Sequence, residues 1–205
     1  YRVNIPLDGD LKFVGGLISM TSGNTGGDGG SIDVTAGRDL LIGANIFVHG
    51  FDTGGDVSGT AGRAVQITGT IDATGGSASG AGDGGYVDFE SGLGTDEGGL
   101  GTLSISKDVI ASGGALSGSG QTITFAGCGL SVSNLVKIDG HAGVNAANVA
   151  GGSDIELISR RAMTLGNQSQ YVADPGGSIT LTQPPGISPL MGSGLVFNPA
   201  AGNRA

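Results

Sequence analysis

Residues 32–50 read IDVTAGRDLLIGANIFVHG, and this stretch decides the fold. It contains three short triplets, each with apolar residues at its two outer positions, and it ends at Gly50. Residues 123–140, ITFAGCGLSVSNLVKIDG, repeat the three triplets with nearly the same spacing and end at Gly140. Recurrence of one small structural unit is typical of a solenoid, in which each unit buries its apolar face against the next.

The triplets recur at unequal intervals along the chain. Successive coils are expected to begin at Ile32, Val57, Val87, Ile123, Ile155 and Ile179. Because the triplets keep their length while the intervals vary, the pattern indicates strands of fixed length joined by loops of variable length. The outer residues of a triplet face one side of a strand and the middle residue faces the other. We therefore predict an all-β fold, a right-handed parallel β-helix (β-solenoid) with three strands per coil and about six to seven coils.

Glycine makes up 44 of the 205 residues. Glycines this frequent disfavour helices, and they lack the every-third-residue period of collagen. Glycine doublets, such as Gly54-Gly55 and Gly84-Gly85, precede the start of several coils. Other glycines follow triplets, and we expect these to turn the corners with positive φ. They are Gly43, Gly50, Gly69, Gly75 and Gly140.

The two ends of the chain lack the triplet pattern. Residues 183–205 contain four prolines, which cannot donate a hydrogen bond to a strand ladder and suit an edge or a cap. We predict an N-terminal extension or docking segment over 1–10, the β-helix over 11–182 and a Pro-rich cap or tail over 183–205. Because the chain begins at Tyr1, we expect it to be a processed product or a fragment.

Composition excludes several classes of partner. Acidic residues number 18 against 9 basic ones, a formal charge of -9, so we expect no nucleic-acid partner. We also expect no membrane span, because the chain has no apolar run of the required length. The single cysteine, Cys128, cannot form an intrachain disulfide and is interpreted as a buried thiol.

One corner of the repeat resembles a known family. Residues 34–42, VTAGRDLLI, are similar to the repeats of filamentous-haemagglutinin-type exoproteins, which are large bacterial surface β-helices. Residues 61–65, AGRAV, form a second and shorter copy, and the rhythm extends over about residues 30–182. The resemblance implies a secreted or surface-displayed fibre or adhesin, and it implies no catalytic residues.

Carboxylates supply one alternative function. If the first strands of the coils stack, several polar residues share one outer face: Asp33, Asp88, Thr124, Glu156 and Thr180. Paired carboxylates can act as acid and base on a polysaccharide, although a solvated strand face needs polar residues anyway. Asp33 and Asp88 should lie two coils apart, about 9.6 Å. The aromatic candidates for stacking on a sugar are Phe47, Phe51 and Tyr86.

Metal binding is a further alternative. Gly-Asp-Gly-Gly occurs at 27–30 and at 82–85, among loop carboxylates that also include Asp52, Asp56, Asp96 and Glu97. Calcium takes six to eight oxygen ligands, so Asp28 and Asp83 are its candidates, although Asp also supports turns. His49 and His141 should lie about three coils apart, too far for a shared metal, and are interpreted as surface residues.

The sequence predicts a non-enzymatic building block of a bacterial surface fibre, sheath or adhesin that self-associates end to end. We expect a secreted or cell-surface location, no resident cofactor with calcium left open, and cell-surface glycans or a host surface as further candidate partners. The alternative is a carbohydrate-active β-helix enzyme, a lyase or hydrolase, that uses the face carboxylates.

Overall fold

The computed structural model describes residues 2–4, 9–23, 25–76, 82–92, 101–145, 148–149, 151–198 and 202–204. These residues form strands, turns and loops without an α-helix, so the predicted all-β class is confirmed. Within the same ranges there is no helix of the length and apolarity that a bilayer crossing requires.

Each of the first four coils contributes three short strands. Coils 1 and 2 contain β1 (Arg2–Asn4), β2 (Leu11–Phe13), β3 (Leu17–Ser19), β4 (Ile32–Ala36), β5 (Asp39–Ile42) and β6 (Asn45–Phe47). Coils 3 and 4 contain β7 (Val57–Ala61), β8 (Ala64–Ile67), β9 (Ile71–Asp72), β10 (Val87–Ser91), β11 (Thr102–Ile105) and β12 (Val109–Ile110).

The remaining coils keep this plan, with one insertion. Coil 5 contains β13 (Ile123–Gly127), β14 (Gly129–Val132) and β15 (Lys137–Asp139) and is followed by an antiparallel pair, β16 (Val144–Asn145) and β17 (Asn148–Val149). Coils 6 and 7 contain β18 (Asp154–Ser159), β19 (Met163–Leu165), β20 (Gln170–Val172), β21 (Ser178–Thr182), β22 (Leu190–Met191) and β23 (Val196–Asn198). The last strand, β24 (Gly202–Arg204), begins a further coil. The sequence pattern did not predict the β16–β17 pair.

The strands of successive coils stack into three parallel sheets of eight, seven and seven strands. The first sheet contains the first strand of every coil, and the second and third sheets contain the second and third strands. In the first sheet Ile32 pairs with Val57, Val57 with Val87 and Val87 with Ile123. The same register continues through Ile155 to Ile179. The predicted solenoid, its three strands per coil and the predicted coil starts are confirmed.

The core lies between the three sheets and runs along the axis of the solenoid. Residues at the outer positions of the triplets are buried, as in Ile32 and Val34, which are 3% and 1% exposed. One inward-facing column of the first sheet contains Gly59 and then the stacked rings of Phe89 and Phe125, whose centroids lie 6.2 Å apart. A Cβ atom on Gly59 would lie 2.5 Å from the Phe89 ring, so this glycine leaves room for the aromatic residue of the next coil.

The corner glycines have a role other than the expected one. The prediction of positive φ is wrong for Gly43, Gly50, Gly69, Gly75 and Gly140, none of which adopts it. The backbone of another segment passes close to four of them, and a Cβ atom on Gly50 would lie 1.5 Å from the carbonyl oxygen of Thr53. At Gly140 the close neighbour is instead the side chain of Ser153. Positive φ occurs at other glycines, including Gly26 and Gly27.

The glycine doublets mark the points where each long loop returns to the solenoid. The Gly55 amide donates to the carbonyl of Val48 (2.6 Å), at the end of the third strand of coil 2. One coil later the Gly85 amide donates to the carbonyl of Ala73 (2.8 Å). A Cβ atom on Gly55 would lie 1.9 Å from the carbonyl oxygen of Gly30. Loops of different lengths are therefore closed by the same narrow glycine junction.

Both terminal segments contribute strands to the sheets. Within 1–10, β1 pairs with β4 in parallel. Within 183–205, β22 pairs with β19, β23 with β20 and β24 with β21. Parallel pairing thus extends on both sides of the predicted 11–182 β-helix, and the roles of the ends as caps or docking segments stay predictions.

Candidate functional site

Two neighbouring columns of side chains lie where the third sheet ends. In the first column Phe47 pairs with Asp72, Asp72 with Ile110, and Ile110 with Asp139. The residues two positions later in each coil form the second column, which contains His49, Thr74, Ser112 and His141. The predicted spacing of three coils between the two histidines is confirmed, because Gly50 pairs with Gly75, Gly75 donates to Ser112, and Gly113 donates to His141.

A chain of polar contacts joins three coils in these columns. Nε2 of His49 lies 3.0 Å from Oδ2 of Asp72, and the Thr74 hydroxyl donates to Oδ1 of Asp72 (2.6 Å). The Ser112 hydroxyl lies 3.4 Å from that of Thr74. Since the Thr74 proton is used on Asp72, Ser112 is the donor in this last contact.

The charge states of His49 and Asp72 follow from this arrangement. The Asp72 carboxylate raises the pKa of His49 above its usual value, although partial burial opposes the shift. Burial alone would raise the pKa of Asp72, but the adjacent His49 ring and the hydrogen bonds from Thr74 outweigh burial and hold this pKa below its usual value. Asp72 is therefore ionised at neutral pH.

A second histidine and carboxylate pair lies two coils further along. Nδ1 of His141 lies 2.7 Å from Oδ1 of Asp139, and Nζ of Lys137 lies 2.5 Å from Oδ2 of the same carboxylate. Burial would raise the pKa of Asp139, yet His141 and Lys137 lower it below the usual value. Asp139 therefore holds His141 in place as an ionised partner.

The second column, together with Asp72 of the first, lines an open groove along the side of the solenoid. This lateral groove, defined by His49, Phe51, Asp72, Thr74, Ser112 and His141 with the loops beside them, has a volume of about 550 Å³. The side chains of His49 and His141 are 41% and 40% exposed, so their interpretation as surface residues holds only in part. Their position in a groove was not predicted.

The predicted column of polar residues on the first sheet is present. Asp33 pairs with Ser58, Ser58 with Asp88, and Asp88 with Thr124, and the column continues through Glu156 to Thr180. Asp33 and Asp88 thus lie two coils apart, as predicted. Asp33 contacts Arg2 (3.2 Å) and accepts a hydrogen bond from Ser58 (3.2 Å). Burial, with a smaller contribution from Glu90, raises the pKa of Asp88.

The calcium candidates lie apart. Gly29 donates to the carbonyl of Thr53, and Thr53 pairs with Asp83, which places Asp28 and Asp83 two coils apart, about 9.6 Å. The Asp83 carboxylate accepts a hydrogen bond from the Ser119 amide (2.7 Å) and so supports the backbone of the next coil. The described ranges contain no group of three or more His, Cys, Asp or Glu residues placed to hold a metal ion. Asp96 and Glu97 lie outside the described residues.

Two of the aromatic candidates lie in or beside the lateral groove, and the third does not. Phe51 lines the lateral groove, Phe47 stacks on His49 with ring centroids 5.5 Å apart, and Tyr86 is exposed elsewhere on the surface. Cys128 is buried, as predicted, and its Sγ lies 3.5 Å from the carbonyl oxygen of Gly92.

The core layers at the two ends are only partly buried by the residues that the structure describes. The N-terminal face consists of the inward-facing Leu11, Phe13, Ile18 and Met20, which are partly buried, whereas their partners one coil later are fully buried. The C-terminal face consists of Met191, which is 48% exposed, with the partly buried Leu195 and Phe197. Further exposed apolar residues lie at the rims of the two faces: Val14, Leu17, Ile187, Leu190 and Val196.

Comparison with known proteins adds no assignment: no family model, curated protein or solved structure matches this chain. A proposal for the function of this chain therefore rests on its fold and its contacts.

Proposed function

We propose that this protein is a structural building block of a bacterial extracellular fibre, sheath or adhesin, and that copies associate end to end. The observation that carries the proposal is the apolar core that ends without a polar cap at both terminal faces, within the described residues. Solenoid proteins need terminal repeats with a polar outer face to stay dispersed. In this proposal a second copy of the same chain covers these end layers.

The two faces are complementary in architecture. The N-terminal face is bordered by β1, β2 and β3, and the C-terminal face by β24, β22 and β23, which are the edge strands of the three sheets. An edge strand carries unpaired N–H and C=O groups that favour pairing with another strand. The proposed contact pairs edge strands of one copy with those of the next and covers the exposed Met191. Such a head-to-tail contact does not close on itself and builds a filament.

The corner motif supports membership among filamentous-haemagglutinin-type surface proteins. The Arg38 guanidinium donates two hydrogen bonds to Asp10 of the preceding coil, at 2.8 and 3.0 Å. Arg63 binds Asp39 in the same way one coil later. The Arg and Asp residues of this motif thus form ion pairs between successive coils, which gives the repeated motif a structural role. A secreted or cell-surface location is part of the proposal.

The test uses one charged substitution on each face. Ile18→Asp places a charge in the N-terminal face, and Met191→Asp places one in the C-terminal face. We expect the unsubstituted chain to form assemblies that grow with concentration in analytical ultracentrifugation and appear as filaments by negative-stain electron microscopy. Each variant alone should be monomeric, because every contact needs one intact face of each kind. An equimolar mixture should form dimers and nothing longer.

Leu135→Asp is the matched control, because it adds the same charge at a side chain that is 70% exposed in coil 5. This variant should assemble like the unsubstituted chain. Circular dichroism should show that all variants keep their β structure. Monomers at every concentration of the unsubstituted chain, with or without calcium, would contradict the proposal, as would dimers of Ile18→Asp alone.

The enzymatic alternative retains one supporting observation, the raised pKa of Asp88 beside Glu90. A general acid in glycoside cleavage needs a carboxyl group whose pKa is raised, although Asp88 itself lies at an exposed position of its strand. Incubation with common polysaccharides, followed by measurement of reducing ends and unsaturated products, tests it. Product release that is lost in Asp88→Asn and kept in Asp154→Asn would favour an enzyme. No product from the unsubstituted chain removes this alternative.

A further inference from the structure

The lateral groove has the dimensions of a ligand site. Its volume of about 550 Å³ falls within the range of about 300–1,000 Å³ that is usual for small-molecule pockets. The residues that line it come from coils 2 to 5, together with the loop that follows coil 1. Because successive coils rise by about 4.8 Å, the groove runs along the solenoid axis and suits an elongated ligand.

The polar groups of the groove are fixed in place before any ligand binds. The Asp72 carboxylate contacts the His49 ring and accepts a hydrogen bond from the Thr74 hydroxyl, which in turn lies within reach of the Ser112 hydroxyl. The Asp139 carboxylate contacts Nδ1 of His141. Nδ1 of His49 and Nε2 of His141 have no hydrogen-bond partner among the described residues. Each of these ring nitrogens is able to donate or accept a hydrogen bond, depending on its protonation. The groove therefore presents two oriented polar atoms about three coils apart.

An apolar surface lies beside these polar groups. Phe51 lines the groove, and its amide is fixed by the Ser22 hydroxyl (2.7 Å) and the Gly27 carbonyl (2.8 Å). Ala115 lines the groove as well. A ligand here meets an aromatic ring and hydrogen-bonding groups together.

The charges and contacts disfavour three classes of ligand. An anion would meet the ionised Asp72 in a protein whose formal charge is -9. A metal ion would find the Asp72 oxygens already bonded and no cluster of three ligands among the described residues. A purely apolar ligand would remove water from Asp72 and the histidines without replacing its hydrogen bonds.

A neutral polyhydroxylated chain satisfies all of these conditions. Its hydroxyl groups donate to and accept from the histidine nitrogens, and its C–H faces pack on Phe51. We infer that the lateral groove binds a linear neutral oligosaccharide along the solenoid axis. The inference is independent of end-to-end assembly, because no residue of the groove belongs to the N-terminal or C-terminal face.

Isothermal titration calorimetry with defined hexasaccharides tests this inference. The probes are cellohexaose, xylohexaose, mannohexaose and maltohexaose, with hexagalacturonate as the anionic comparison. The Ile18→Asp variant is used beside the unsubstituted chain, so that binding is measured whether or not the chain assembles. We expect at least one neutral probe to bind with a Kd below about 1 mM, and hexagalacturonate to bind more weakly.

Two groove variants and one control complete the test. Phe51→Ala and His141→Ala should each weaken binding of that probe about tenfold. Tyr86→Ala removes an exposed aromatic residue outside the groove and should leave the Kd unchanged. The inference is overturned if no neutral probe binds, if both groove variants bind as tightly as the unsubstituted chain, or if hexagalacturonate binds most tightly.

Discussion

Nε2 of His49 lies 3.0 Å from Oδ2 of Asp72 in the following coil, so a titratable pair joins two layers of the solenoid. The pair comes from the stacking register, because Asp72 lies directly after Phe47 in its column and Phe47 precedes His49 by two residues. Stability should therefore depend on pH through a contact between coils.

The first prediction concerns His49→Gln. The pKa of His49 is raised in the folded state, so its contribution to the free energy of unfolding is fully present below the pKa of an unfolded histidine, about 6.5. The contribution is lost as pH rises through the raised value. The pKa of Asp72 is lowered, so its contribution is present above the unfolded value of about 3.9 and is lost as pH falls through the folded value.

Urea unfolding at a series of pH values measures this effect. The difference between the unsubstituted chain and His49→Gln should be largest near pH 5 to 6 and should shrink above about pH 7, remaining under about 1 kcal/mol because the pair is half-exposed. His141→Gln is the control and should keep this part of the pH dependence. A difference that grows with pH above 7 would show that the ion pair is not its source.

The second prediction concerns the glycine junction. Gly55→Ala should lower the free energy of unfolding by about 3 kcal/mol or more, because the new Cβ atom would lie 1.9 Å from the Gly30 carbonyl oxygen and both backbones would have to move. Gly151→Ala is the matched control, since no atom lies within 4 Å of the added group. Thermal and urea unfolding should show no loss for the control. Equal losses in both variants would mean that close approach is not the reason for glycine at position 55.

The third prediction concerns the core column of Gly59 and Phe89. Gly59→Ala should cost about 1–3 kcal/mol, because its Cβ atom would overlap the Phe89 ring. Phe89→Leu removes the ring carbon that lies 2.5 Å from the added Cβ atom, whereas Cδ2 of Leu40 stays 2.8 Å from it. In the double variant, the cost of the alanine should therefore be smaller but not zero. Urea unfolding of the two single variants and the double variant gives the coupling free energy, and strictly additive losses would contradict the proposed overlap.

The fourth prediction concerns Asp83 and calcium. Asp83→Ala should lower stability by about 1 kcal/mol, because the Ser119 amide loses its acceptor. Asp28→Ala should have little effect, because the Asp28 carboxylate has no hydrogen-bond partner among the described residues. Melting curves in calcium and in EDTA should coincide for both variants and for the unsubstituted chain. A calcium-dependent rise in Tm that Asp83→Ala abolishes would instead establish a calcium site.

Much of the fold was predictable from the first strands of the coils. The apolar residues at Ile32, Val57 and Val87 recur with the same neighbours, and the structure pairs them in that register. This was possible because burial on one face of a strand imposes strict alternation. The terminal coils were harder to recognise, because Leu11 and Met191 lie in very short strands whose core layer is only half covered.

The lateral groove was not predicted, although its signal is present. An offset of 25 residues, the interval between coils 2 and 3, carries His49 to Thr74 and Phe47 to Asp72. Extending the register of the first strands to the third sheet would have brought His49 and Asp72 together. The depth of the groove could not be obtained in this way, because it depends on how loops of unequal length fold beside the coils.

Contacts in this solenoid join each coil to its immediate neighbours, and paired residues of successive first strands lie 22 to 36 residues apart along the chain. The sequence distance that folding must bridge is therefore set by one coil and stays constant however many coils the chain has. A whole coil can consequently be duplicated or deleted in evolution. Such a change alters the length of the solenoid, while each remaining coil still packs between two coils of the same kind.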